Sequence, residues 1–201
     1  MKNILFISYY TTGYYKEVMN KYLLPSLKKF NLPYHIEAIE SKHNRTDNIQ
    51  YKPKFILECL EKFPNKDLVW TDADSVINKY PKLFYEILEE YDVAIHTLDW
   101  NLTYGRPGRE ILSGTLLLKN RDKVKKLVEL WQKKAKPHKF REQLGLRDAL
   151  QEMKKIKVYD LPRIYCYIEN CPNGKPLIVE KNPVVSHYQI SRHIRKNQIE
   201  F

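Results

Sequence analysis

The amino-acid sequence predicts an α/β fold: a mainly parallel mixed sheet flanked by helices, in a single domain. Three observations lead there. The chain has 201 residues, 43% hydrophobic and 29% charged, which suits one domain with a full core. Its first half alternates short apolar runs with stretches of helical periodicity, the pattern of parallel strands joined by crossover helices. One apolar run, Leu68-Val69-Trp70, stops at Asp72-Ala73-Asp74, two carboxylates one residue apart that project the same way from an extended chain.

Residues 2–11 read as a first strand. Ile4, Leu5, Phe6 and Ile7 form a continuous apolar run, as a strand covered on both faces requires, and Tyr9-Tyr10-Thr11-Thr12-Gly13 makes an aromatic and polar loop at its end. Val18, Met19, Tyr22, Leu23, Leu27 and Phe30 follow at helical spacing, with Pro25 expected to kink or split the helix. Residues 34–40 form a second strand, and a polar loop runs to about Gln50. Pro53 suits the first position of the next helix, whose apolar stripe is Phe55, Ile56, Cys59, Leu60 and Phe63. After the acid-terminated third strand, Pro81 opens a short helix and residues 92–97 form a fourth strand. Ligands gather at the carboxyl ends of strands in such sheets, where Tyr9, Tyr10, Asp72 and Asp74 converge.

The second half is less regular. Residues 98–109 read as a loop carrying Asp99, Trp100, Tyr104 and Arg106, and residues 111–119 as a strand interrupted at Ser113-Gly114-Thr115. The glycine there marks a bulge or a close approach of ligand to backbone. Residues 121–136 form an amphipathic helix with Val124, Leu127, Val128 and Trp131 inward, and residues 142–155 a further helix. Residues 158–168 and 177–185 read as strands on either side of a turn.

Net charge is +11 and unevenly placed: residues 119–157 hold 14 Lys and Arg against 5 Asp and Glu. Such a surplus attracts polyanions, whether nucleic acid, anionic lipid or acidic glycan. Cys59, Cys166 and Cys171 are read as reduced structural thiols. The apolar run near the start is far too short to span a bilayer and carries no signal-cleavage pattern, so a cytoplasmic protein without a transmembrane segment is expected.

Several separate stretches share one likeness. Lys52-Pro53-Lys54-Phe55-Ile56, Val69-Trp70-Thr71-Asp72-Ala73-Asp74, Ser113-Gly114-Thr115-Leu116-Leu117, Glu142-Gln143-Leu144-Gly145-Leu146, Leu161-Pro162-Arg163 and Pro183-Val184-Val185-Ser186-His187 succeed one another along the chain. In that order and spacing the chain resembles the GT-A glycosyltransferases of the nucleotide-diphospho-sugar transferase type. The resemblance implies a Rossmann-like GT-A domain over residues 1–201, with 1–97 binding the nucleotide sugar and 98–201 the acceptor. It implies a metal site of Asp72, Asp74 and His187 for Mn2+ or Mg2+, with Asp74 binding the ion directly, Asp72 touching the ribose or a metal-bound water and His187 completing the coordination, the ion bridging the donor's phosphates as the glycosidic bond breaks. Lys54 and Arg192 are candidate diphosphate contacts. Tyr9 or Tyr10, with Thr11 beside them, are candidates to meet the donor's base. Glu142 is the candidate nearest the reacting carbon, as general base in an inverting enzyme or as nucleophile or stabiliser in a retaining one, with Asp99 as the alternative.

Two other classes compete. An acid pair after an apolar strand also resembles the opening motif of haloacid-dehalogenase-type phosphatases, but those place it on the first strand and add a later acid pair for Mg2+. Here it lies on the third, and the only later adjacent acids, Glu89-Glu90, end a helix. A basic nucleic-acid-binding module without catalysis fits the charge, yet no helix-turn-helix, zinc-finger or RNA-recognition signature is present. Both ideas merge in a sugar transferase whose acceptor is polyanionic, such as DNA with hydroxymethylated bases or an anionic lipid or cell-surface glycan.

Overall fold

A computed structural model describes residues 3–42, 44–169 and 180–191. Strand β1 (Ile4–Thr11) leads into α1 (Tyr14–Lys21) and α2 (Leu23–Lys29), then β2 (Tyr34–Ile39), α3 (Arg45–Lys62), β3 (Asp67–Thr71) and the short β4 (Ser75–Ile77). There follow α4 (Lys82–Ile87), β5 (Val93–Asp99), α5 (Trp100–Tyr104), β6 (Arg109–Leu118), α6 (Asp122–Ala135) and α7 (Glu142–Glu152). The last described elements are β7 (Val158–Asp160), β8 (Tyr167–Ile168) and β9 (Val185–His187).

Six strands make one mixed sheet in the order β2-β1-β3-β6-β5-β7. Pairs β1–β2, β1–β3 and β5–β7 are parallel; β6 lies antiparallel between β3 and β5. The apolar runs are explained by cover on both faces. Leu5, Ile7, Leu68, Trp70, Ile95 and Leu116 pack beneath α3, α6 and α7, while Ile4, Phe6, Val69, Ala94 and Leu117 face α2, α4 and the smaller sheet. That smaller sheet has the order β4-β9-β8.

Several boundaries differ from expectation for identifiable reasons. Pro25 does split its helix: the break falls at Tyr22, before the position at which proline would lose its helical donor and crowd the preceding turn. The helix expected to open at Pro53 instead starts at Arg45, because Asn44 caps it by accepting the Asp47 N–H at 3.0 Å, and Pro53 lies inside it. The strand expected over 158–168 is two short strands separated by Pro162 and a 3-10 turn at Arg163–Tyr165. The strand expected over 177–185 lies partly outside the described residues, and its described continuation is β9. Cys59 and Cys166 are free and buried, and Cys171 lies outside the described residues. No helix among the described residues is long and apolar enough to cross a membrane.

The basic surplus is partly neutralised. Asp92, 1% exposed, accepts from Lys123 Nζ at 2.6 Å, Arg121 Nη1 at 3.3 Å and the Lys157 N–H at 2.8 Å, tying the starts of β5 and α6 to the approach of β7. Burial works against its charge, but the Lys123 hydrogen bond, the Lys157 N–H and the charges of Lys123 and Arg121 outweigh this and hold the carboxyl below its ordinary range. A depressed folded pKa gives stability that is present above the ordinary carboxylate range and is lost as pH falls through the lower value. Asp92→Ala is expected to cost about 2 kcal/mol in urea denaturation at pH 7, because both cations are half-exposed and rehydrate while the Lys157 N–H loses its acceptor. That deficit should shrink towards pH 3.

Candidate functional site

The acid pair stands where β3 ends. The Asp72 N–H donates to the Gly114 carbonyl at 3.1 Å, and the Ser75 N–H donates back to the Asp72 carbonyl at 3.0 Å, so the chain turns tightly between β3 and β4. Strand β4 then pairs antiparallel with β9, Ser75 opposite His187, and this register delivers the histidine to the acids from the far end of the chain. Ligand atoms of Asp72, Asp74 and His187 lie within 4.8 Å of one another.

Each side chain is held by the atoms it can spare. Asp72 Oδ1 accepts from Trp70 Nε1 at 3.0 Å and from Lys52 Nζ at 3.0 Å. Asp74 Oδ2 accepts the Ile190 N–H at 2.8 Å, and its carbonyl accepts the Tyr188 N–H. Burial, together with the Asp72 charge, pushes the Asp74 carboxyl up to about 6. His187 Nε2 is 2.8 Å from Thr115 Oγ1, while Nδ1 is buried without a partner. Burial presses this imidazole down to about 4, so it is neutral at pH 7. With the Nε2 proton donated to Thr115, Nδ1 presents a lone pair.

Gly114 makes the convergence sterically feasible. A Cβ there would lie 2.9 Å from His187 Cε1, 3.1 Å from Nδ1 and 3.3 Å from Asp72 Oδ2. The interruption expected at Ser113-Gly114-Thr115 is therefore a bulge, where β6 slips its register against β5, and the groups that come close to its glycine are two side chains of this chain, where a ligand had been the expectation. Two carboxylates and a neutral imidazole nitrogen that lacks a partner form a donor set suited to a hard or borderline divalent cation such as Mg2+ or Mn2+.

A cavity of about 460 Å³ opens over this cluster, within the range of small-molecule sites. Tyr9, Tyr10, Thr11, Asp72, Asp74, Glu142 and His187 all line it. Tyr9 does so as part of an aromatic cluster with Tyr51, Phe55 and Trp70, its hydroxyl donating to the Asn48 carbonyl at 2.6 Å. Two expected residues are not brought in, and a third falls outside the described residues. Lys54 points away on the outer face of α3, 3.6 Å from Glu58 and half-exposed. Asp99 caps α5, accepting the N–H groups of Asn101 and Leu102. Arg192 lies outside the described residues.

The lysine that does reach the site is Lys52. It is 7% exposed, and its Nζ lies 3.0 Å from Asp72 Oδ1, 2.9 Å from Glu142 Oε1 and over the Trp70 ring. Burial opposes its charge, but Asp72 and then Glu142 more than compensate and raise its pKa. Ser113 Oγ donates to the same Glu142 oxygen at 2.6 Å, and Trp131 Nε1 donates to the Glu142 carbonyl, so the first residue of α7 is fixed from both ends. Sequence spacing carried this signal: Lys52 sits on the stripe Phe55, Ile56, Cys59, whereas Lys54 is roughly 200° around the helix from it. Gln189 had no such signal; it lines the cavity at φ 52° with a buried, unpartnered Oε1.

Neither a family model nor a curated protein sequence matches the chain. Among solved structures, the crystal structure of a glycosyltransferase involved in the glycosylation of the major capsid of PBCV-1 is similar, with a TM-score of 0.70. The match covers 98% of this chain and 100% of that one at 14% sequence identity, so this chain has a glycosyltransferase fold.

Lys52→Met leaves Glu142 and Asp72 as facing carboxylates without their shared cation, and is expected to cost roughly 3 kcal/mol in denaturant unfolding. Adding Glu142→Gln should return about 1–2 kcal/mol of that loss. Strict additivity of the two single changes would contradict the coupling.

Proposed function

We propose that the chain is a metal-dependent glycosyltransferase that moves a sugar from a nucleotide-diphosphate sugar to an acceptor hydroxyl. The observation that carries this reading is the buried, unpartnered Nδ1 of His187, which converges with Asp72 and Asp74 under the cavity. A divalent cation bound there would neutralise the charge developing on the departing nucleoside diphosphate.

The residues divide the work. Asp72, Asp74 and His187 would hold the cation, and Thr115, 2.8 Å from Nε2, orients the imidazole; the tautomer with its proton on Nε2 leaves Nδ1 for the ion. Tyr10 and Thr11, on the tail of β1, together with the half-buried edge of Tyr9, meet the donor's nucleoside. Lys52 is a positioning residue: it holds Asp72 Oδ1, so that the other carboxylate oxygen is available, and it fixes Glu142. We assign Glu142 Oε2 to the reacting end of the donor, where it takes the acceptor's proton or faces the anomeric carbon. Residues 1–97 then serve mainly the donor and residues 98–201 the acceptor. A basic chain favours an acceptor that carries negative charge.

The test is donor hydrolysis over a panel of nucleotide sugars with Mn2+, alongside manganese affinity measured by electron paramagnetic resonance. Asp74→Ala and His187→Ala are each expected to lower turnover by about a hundredfold or more and to weaken manganese binding, with an unchanged circular dichroism spectrum. Undiminished turnover, or wild-type manganese affinity in both variants, would overturn the reading.

A further inference from the structure

The hairpin between β5 and β6 carries a group of side chains that the donor site does not use. Strands β3 and β5 run in the same direction on either side of antiparallel β6, so β5 ends at the same edge of the sheet as the acid pair. Thr115 pairs with Thr71 at the end of β3, and the part of β6 before it overhangs that edge. The overhang is joined to the cavity: Glu110 Oε1 accepts from Gln143 Nε2 at 3.2 Å, and Gln143 lines the cavity beside Glu142.

At the tip, the Arg106 guanidinium lies 5.1 Å from the Trp100 ring centre and 5.5 Å from that of Tyr104. Asp99 fixes the start of the turn by capping α5, and the Trp100 N–H donates to the Gly108 carbonyl at 2.9 Å. Gly108 has φ 144°, and a Cβ there would lie 2.2 Å from Trp100 Cε3, so the indole is seated directly against the backbone. Arg106 is exposed and forms no ion pair among the described residues, and Leu102, in α5, is 56% exposed. Two aromatic rings around a guanidinium hold it in a fixed orientation and leave its donors to solvent.

We propose that this hairpin is the acceptor dock and that its occupant is an acidic saccharide, with Arg106 taking a uronate carboxylate and the edges of Trp100 and Tyr104 meeting sugar ring faces. A planar carboxylate matches the guanidinium fork, and amphipathic aromatic rings suit surfaces with both C–H and hydroxyl groups. Duplex DNA fits the hairpin less well. Continuous phosphate tracking needs a row of cations, whereas Glu110 and Asp99 stand on the stem and Arg109 is the only other cation there. The start of the lysine-rich α6 lies at the opposite edge, since Leu118 pairs with Leu68, and there Arg121 and Lys123 are bound to Asp92. The role as acceptor dock rests on the transferase reading above; the binding itself does not.

The test is a titration of the whole protein with trigalacturonate, read by tryptophan fluorescence without donor or metal. Trp70 and Trp131 are buried and Trp100 is half-buried, so ligand contact reports mainly on Trp100. A saturable change is expected with trigalacturonate and one at least tenfold weaker with neutral maltotriose. Arg106→Gln should weaken trigalacturonate binding about tenfold or more, and Trp100→Phe should remove the signal. Absence of saturable binding, equal binding to Arg106→Gln, or tighter Arg106-dependent binding of a DNA duplex would each overturn the proposal. A failure here leaves manganese binding by the acid pair and His187 as a separate result.

Discussion

Two carboxylates and an imidazole nitrogen without a partner, gathered within 4.8 Å with Asp74 and His187 buried and Asp72 at the cavity surface, are an unfavourable group unless a cation joins them. Burial penalises the charge of Asp74 and leaves His187 Nδ1 without a donor, and this protein spends several elements on keeping the three side chains in place. Trp70 and Lys52 take one oxygen of Asp72, the Ile190 N–H takes one of Asp74, and Thr115 takes the other nitrogen of His187. What remains unsatisfied faces one point. The smaller sheet makes the geometry understandable, because β4 continues directly from Asp74 and its partner β9 ends in His187.

The second organising contact is the lysine between Asp72 and Glu142. A buried ammonium shared by two carboxylates is costly to desolvate, and it contributes orientation more than stability. Here it links three segments that are distant in sequence: α3, the end of β3 and the first residue of α7. Moving any one of them would disturb the others, so the cation-binding end and the reacting end of the cavity are mechanically joined through Lys52 and Ser113.

Much of this was legible in the residues. Strands covered on both faces announced themselves as unbroken apolar runs, and α6 by its inward Val124, Leu127, Val128 and Trp131. Asp72 and Asp74 were visible as a carboxylate pair at a strand end, and Gly114 as a place where something comes close. Less legible was whatever depends on long-range pairing. Strand β4 has only three residues, too few to show a period, and exists because β9 pairs with it. The antiparallel insertion of β6 between β3 and β5 leaves no mark on the local pattern. The lysine at the site is Lys52 rather than the expected Lys54, and what separates the two in the sequence is that Lys52 alone falls on the apolar stripe of α3. Asp99 had the right chemistry, but its side chain is engaged by the N–H groups that begin α5.

The claim that the Asp72, Asp74 and His187 side chains form a cation site can be tested in a crystal. Anomalous diffraction recorded at the manganese edge, from crystals soaked with manganese and a nucleoside diphosphate, should show a peak bounded by Asp72 Oδ2, the Asp74 carboxylate and His187 Nδ1. A diphosphate seated in the cavity with no anomalous peak at that point, and the three side chains bonded only to protein, would contradict it.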